Sequence, residues 1–322
     1  MRFGNITDVP GIKVGNIENI EVLTGCTIIL CENGAVCGVD VRGSAPGTRE
    51  TDALDPINQI DKVHGISLSG GSAYGLDAAS GVMQFLEEQG FGLDTGLVKV
   101  PIVPGAVLFD LLVGNPHIRP DKQMGYDAAK KAVQGTFSFG NVGAGCGATV
   151  GKLAGVEHCM KGGLGSSSFE LENGLIAGAL VAVNAVGDVR NPKTQEILAG
   201  PYESSTGKII DSIEYMQQQG VDAAIPGTNT TIGVVAINAK LTKAEAKKVA
   251  QITQNALART IYPVHTMADG DTIFALGTGD QSYPVDYVAS IAASAMEQAI
   301  MAAITSAEEI AGIPSYKSIS RK

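Results

Sequence analysis

The chain has 322 residues, 44% hydrophobic and 17% charged, which is enough to bury a substantial core in one large domain or two smaller ones. A net charge of −10 with no Lys/Arg cluster argues against a nucleic-acid binder, and no stretch of about 18 or more uncharged apolar residues marks a membrane span. The five cysteines (Cys26, Cys31, Cys37, Cys146 and Cys159) lack CxxC spacing, and no basic segment leads into an apolar run at the N-terminus; thiols in a reducing cytoplasm are expected, without a signal peptide.

In chain order, strand-type apolar runs occupy 27–31, 36–41 and 66–68. A helical pattern over 74–90 sets Val82, Met83, Phe85 and Leu86 on one broad face and stops at a Gly. A shorter helix is expected at 126–134. The Gly-rich stretch 135–165 reads as an ordered loop, too apolar for disorder, and long ordered loops are usually functional. A strand follows at 175–183 and a short helix at 208–219. A turn at Pro226-Gly227 leads into a strand at 231–237. Thr242-Lys243-Ala244-Glu245 is a capping box that opens a helix to about Arg259. A strand at 272–276 precedes a long helix over 284–311, with Val288, Ile291, Ala295 and Ile304 on its buried stripe. Most of the strand runs are continuous rather than alternating, so they need cover on both faces. That predicts a layered α/β body, two sheets between two helix layers, in a single domain spanning 1–322.

Several familiar chemistries fail. Gly143-Ala-Gly145-Cys-Gly147-Ala148 fits a loose dinucleotide pattern, but the residues after it make a poor helix. Gly151-Lys152 resembles the end of a phosphate loop, yet Leu153 follows and the upstream Gly spacing is wrong. His64, His117, His158 and His265 are isolated, so no zinc site is expected. Nothing beside Cys146 supplies a base for a thiol nucleophile. No metal or organic cofactor is implied. A hydrolase of this composition needs another way to activate a nucleophile, and a Thr whose own α-amine acts as base is one.

Residues 226–238 offer such a place. Asn229 tolerates strained turn conformations better than most residues, and Thr230 stands at the mouth of a strand. Attack of the Thr230 hydroxyl on the Asn229 carbonyl would give an ester. Its hydrolysis would free an α-amine of pKa about 7.7–8, suited to general-base work at neutral pH. Asn-Thr-Thr is equally an ordinary loop-to-strand passage, so spacing alone leaves the question open.

The blocks Asp8-Val-Pro-Gly-Ile-Lys-Val-Gly15, Arg42-Gly-Ser-Ala-Pro-Gly-Thr-Arg-Glu-Thr-Asp52, Ser69-Gly-Gly-Ser-Ala-Tyr-Gly-Leu-Asp77, Asn141-Val-Gly-Ala-Gly-Cys-Gly-Ala-Thr-Val-Gly-Lys152, Met160-Lys-Gly-Gly-Leu-Gly-Ser166, Asn229-Thr-Thr-Ile232 and Asp269-Gly-Asp-Thr272 together resemble the L-aminopeptidase/D-esterase family. Its relatives include β-peptidyl aminopeptidases and the endo-type nylon-oligomer hydrolase. The resemblance covers most of the chain. It implies an αββα sandwich of the N-terminal-nucleophile type, also seen in ornithine acetyltransferases. It implies self-cleavage into 1–229 and 230–322, and a homo-oligomer of four or more protomers. Thr230 resembles the nucleophile, with Thr231 leaving the register open by one. Asp269 and Asp271 match the pair that supports it, where aminopeptidase branches carry Ser and Glu; a plain Asp-Gly turn is the simpler reading of the same residues. Asn184 resembles an oxyanion-hole amide or a strand-end turn residue. Lys161 resembles the family lysine near the nucleophile or a solvated surface lysine. Tyr74 resembles a pocket aromatic, and core packing would explain it too.

The expected activity is an aminopeptidase or amidohydrolase acting on small molecules or short peptides. Two other readings stay open: acyl transfer to an amine, and a non-catalytic small-molecule-binding relative of the same fold.

Overall fold

The computed structural model describes residues 2–220 and 227–320. The apolar runs at 27–31 and 36–41 are not two strands but one. This strand, β2 (Thr24–Val41), follows β1 (Lys13–Asn19), and β3 (Lys62–Ser69) comes next. The first half of β2 pairs with β1 and β3, and its last residues pair with β8 (Thr272–Gln281). Two sheets are therefore hinged on one long strand. On one side lie β1, the start of β2, β3 and β4 (Gly105–Val107). On the other lie β5 (Gly163–Glu170), β6 (Ile176–Asn184), β7 (Thr230–Ala239), β8 and the end of β2.

Burial explains why the strand runs are continuous. Val181, Val235, Ile273 and Ala275 point to a core shared with α4 (Lys243–Thr260) and α5 (Val285–Ser306). Their neighbours Leu180, Val234, Phe274 and Leu276 point the other way, into a core shared with Ile29, Ile66 and Leu68 of the first sheet. Cys26, Ile28 and Leu30 then face α1 (Ala78–Glu88) and α2 (Lys122–Lys130). The order of layers is helix, sheet, sheet, helix: the αββα sandwich.

The helices follow their sequence signals with small shifts. The Thr242–Glu245 capping box is present with both reciprocal hydrogen bonds. The pattern over 74–90 begins as a 3-10 turn, Ser72–Asp77, before α1. α2 starts earlier than expected because Asp121 caps it through Met124 N–H. Of the 208–219 segment, only α3 (Ser212–Gln219) is helical. Val288, Ala295 and Ile304 of α5 are buried, whereas Ile291 is only half-buried. By length and composition α5 is apolar enough to cross a membrane, but Asp286 and Glu297 interrupt it and 56% of its apolar window is buried within the fold.

Strand β5 was hidden inside the expected loop 135–165 and the residues after it. Gly-Leu-Gly-Ser-Ser-Ser-Phe-Glu has little strand propensity. It forms a strand because α5 lies directly on it: a Cβ on Gly165 would come 2.1 Å from the Ala299 carbonyl oxygen. Pro226 of the expected turn lies outside the described residues.

Candidate active site

The topology brings three strand ends together. β7 and β8 run parallel, so their first residues are neighbours, and β6 runs antiparallel to β7, so its last residue joins them. In this register Asn184 is the direct cross-strand partner of Thr230. The residue before Thr230, Asn229, makes a parallel bridge with Asp269. Four of the sequence-selected residues (Asn184, Thr230, Asp269 and Asp271) thus stand around one point, each no more than 2% exposed.

The Thr230 hydroxyl donates to the carbonyl oxygen of the residue before it, Asn229. The same carbonyl accepts the Gly270 N–H at 2.9 Å. Gly270 has to be glycine, since a Cβ there would sit 2.8 Å from the Thr230 Oγ1. The Asn229 side chain donates to Thr228 Oγ1, and its Oδ1 is buried with no partner among the described residues.

The two carboxylates are held differently from each other. Asp271 Oδ1 accepts the Thr231 N–H at 2.7 Å, while Oδ2 accepts the His265 N–H at 3.2 Å and lies 2.8 Å from His265 Nδ1. Against a carboxylate oxygen, Nδ1 carries the proton and donates. Asp269 Oδ2 accepts from Thr266 N–H at 2.7 Å and Thr266 Oγ1 at 2.6 Å. Among the described residues neither carboxylate bonds the Thr230 hydroxyl. Burial, and then the negative charge of Asp271, raise the Asp269 carboxyl to about 6.

Asn184 is fixed at both ends of its amide. Oδ1 accepts Thr149 N–H at 3.0 Å and Lys152 Nζ at 2.9 Å, and Nδ2 donates to the Phe109 carbonyl at 3.0 Å. Lys152 also reaches the Thr149 carbonyl at 2.8 Å. Its burial lowers it to about 7. Lys161 is fully buried rather than solvated, and burial lowers it to about 8. Its ammonium spans the carbonyls of Cys146 at 2.8 Å and Ala148 at 2.6 Å, so it pins the Gly-rich loop that leads to Thr149. The lysine that meets Asn184 is Lys152. Tyr74 is 63% exposed, with the Arg119 guanidinium 3.8 Å above its ring, so it does not belong to the core.

Two residues of this arrangement escaped the sequence reading. Lys152 ends the longest Gly-rich block, where only a phosphate loop was considered. His265 stands alone in sequence, and its partner Asp271 is six residues ahead. A lone His close before an Asp-Gly-Asp run was the available signal.

Comparison with known proteins places this geometry. Residues 4–317 match the family model described as Peptidase family S58. The chain is 40% identical to an uncharacterized aminopeptidase of Mycobacterium leprae, over 98% of this chain and 93% of that protein. It is 32% identical to a 6-aminohexanoate-oligomer endohydrolase of a Kocuria species, over 86% of this chain and 76% of the relative. In structure it resembles the L-aminopeptidase D-Ala-esterase/amidase of Ochrobactrum anthropi, described as a variant of the Ntn hydrolase fold. That likeness has a TM-score of 0.70 at 19% identity and covers 96% of this chain and 88% of the other. The matches favour hydrolysis over acyl transfer or binding alone. The chain therefore has the Ntn hydrolase fold, belongs to peptidase family S58 and is a hydrolase of the aminopeptidase type.

Proposed function

We propose that the chain cuts itself between Asn229 and Thr230 and then uses Thr230 as an N-terminal nucleophile on amide bonds of short peptides, amino-acid amides or related aminoacyl compounds. One observation carries the reading: the Thr230 hydroxyl lies against the carbonyl of its own preceding residue, at the buried convergence of β6, β7 and β8. The neighbouring Thr231 hydroxyl is also buried but has no partner among the described residues, which favours Thr230 over Thr231.

After cleavage the Thr230 α-amine is the base. Its ordinary pKa of about 7.7–8 already suits neutral pH. Burial, and the Lys152 ammonium behind Asn184, disfavour its protonation. The amine takes the hydroxyl proton as Thr230 Oγ1 attacks the substrate carbonyl, and the Asn184 amide receives the developing oxyanion. The amine next protonates the leaving group, and water hydrolyses the acyl-enzyme. Asp271 holds the backbone of Thr231 and so sets the direction of the nucleophile. The relatives named aminopeptidase and oligomer endohydrolase support an amide substrate carrying a free amino group. The buried Asp269 and Asp271 suit such an ammonium. The family resemblance extends the proposal to a homo-oligomer of four or more protomers, and the unpaired cysteine pattern extends it to a reducing cytoplasm.

Hydrolysis of alanine p-nitroanilide by purified wild type and Thr230→Ala tests the reading. Turnover in the wild type and none in the variant is expected. Equal turnover would refute Thr230 as nucleophile.

A further inference from the structure

We propose that the two reactions use different oxyanion donors: the Gly270 N–H serves self-cleavage, and the Asn184 side-chain amide serves turnover. The inference rests on the self-cleavage reading above and divides that site by reaction.

Self-cleavage develops negative charge on the carbonyl oxygen of Asn229. A donor useful there must lie about 2.7–3.1 Å from it. The Gly270 N–H meets this at 2.9 Å before any reaction begins. Its position is set by the bridge between Asn229 and Asp269, part of the alignment that pairs β7 with β8. Gly270 itself has no room for a side chain, because a Cβ there would crowd the Thr230 hydroxyl, the Ala45 carbonyl and Pro46, so it meets the oxygen through its backbone alone. A backbone N–H is the donor that fits.

Asn184 is otherwise engaged in the uncut chain. A backbone N–H only donates, so Thr149 fixes the carbonyl end of the amide toward itself and Lys152, and the NH2 end away from them. One N–H goes to the Phe109 carbonyl. Among the described residues Asn184 makes no hydrogen bond to Asn229. Its second N–H is left for a carbonyl brought against Thr230 by a substrate.

The chemistry balances without a co-reactant other than water. The Thr230 Oγ1 bonds to the Asn229 carbonyl carbon, and the hydroxyl proton ends on the Thr230 nitrogen. The C–N bond breaks, leaving an ester and a free α-amine. Water then splits the ester to the Asn229 carboxylate and the Thr230 hydroxyl. Charge on the Asn229 oxygen forms and collapses against Gly270 in both stages.

The test follows full-length protein from cell-free synthesis, quenched in denaturant and weighed by mass spectrometry, beside hydrolysis of alanine p-nitroanilide. Asn184→Asp keeps an acceptor for Lys152 and Thr149 but loses both N–H donors, and Asn184→Ala is run in parallel. We expect cleavage within about threefold of wild type, with turnover lower by about 100-fold or more. Gly270→Pro lacks the N–H, whereas Gly270→Ala carries the same Cβ and keeps it, so the Pro protein is expected to cut at least about 10-fold more slowly than the Ala protein while keeping a cooperative thermal transition. A folded Asn184 variant that stays uncut, or that hydrolyses at the wild-type rate, would overturn the division. So would a folded Gly270→Pro protein that cuts as fast as Gly270→Ala. An uncut wild type would instead defeat the self-cleavage reading itself, and the wild-type sample alone reports it.

Discussion

His265 and Asp271 form a hydrogen-bonded pair, Nδ1 to Oδ2 at 2.8 Å, just before β8 and beside the strand that Thr230 begins. The other oxygen of Asp271 takes the Thr231 N–H. His265 therefore acts on Thr230 through Asp271, as a positioning residue. His265→Phe removes the Nδ1 donor, and His265→Asn places an amide N–H near the same point. The Phe variant should lose up to about 100-fold in kcat with little change in KM, as expected for a misaimed nucleophile. The Asn variant should recover part of the loss. Equal effects of both substitutions, or a change confined to KM, would contradict the role.

Gly270 makes room for the Thr230 hydroxyl by lacking a side chain. The Cβ of Gly270→Ala would sit 2.8 Å from Thr230 Oγ1 and 2.9 Å from the Ala45 carbonyl oxygen. Backbone on one side cannot yield, so the Thr230 hydroxyl must. Self-cleavage of Gly270→Ala should slow by about 100-fold, measured as the fraction of uncut chain over time. Cleavage at the wild-type rate would show that the hydroxyl is not confined as the structure describes.

Buried lysines leave a mark on stability. Lys152 falls from 10.5 in the unfolded chain to about 7 in the fold, and Lys161 from 10.5 to about 8. Between these values the unfolded chain binds more protons than the folded one, so stability rises with pH from about 7 to about 10.5. Lys152→Met should flatten the rise in Tm between about pH 7 and pH 9, leaving only the part due to Lys161. An unchanged slope would mean that Lys152 does not lose its proton on folding.

The sheet-to-sheet core can be tested separately from the site. Phe274 is fully buried between the two sheets, facing Ile29 and Ile66 across the interface. Phe274→Ala should cost about 3–5 kcal/mol by chemical denaturation. A loss below about 1 kcal/mol would contradict the four-layer packing.

The layers were readable in the sequence because burial on both faces leaves continuous apolar runs. Leu180 and Val181 in β6, or Phe274 and Ala275 in β8, face opposite cores. The capping box at Thr242 is local chemistry and equally visible. β5 was not visible, since its Gly and Ser residues are chosen by the helix lying on them rather than by strand preference. At the site, the resemblance selected Asn184, Thr230, Asp269 and Asp271, which the strand registers bring together. It could not rank Lys152 against Lys161, because both are buried amines beside the same loop and only the fold shows which one reaches Asn184. His265 was passed over because a lone histidine carries no spacing signal, and its contact with Asp271 depends on how residues 265–271 close into β8.

The most direct test of self-cleavage is the mass of the purified protein under denaturing conditions, with N-terminal sequencing of the smaller piece. The account predicts two chains, 1–229 and 230–322, with Thr230 as the new first residue. A start at Thr231 would move the nucleophile by one position. An active enzyme that remains a single 322-residue chain would contradict the account.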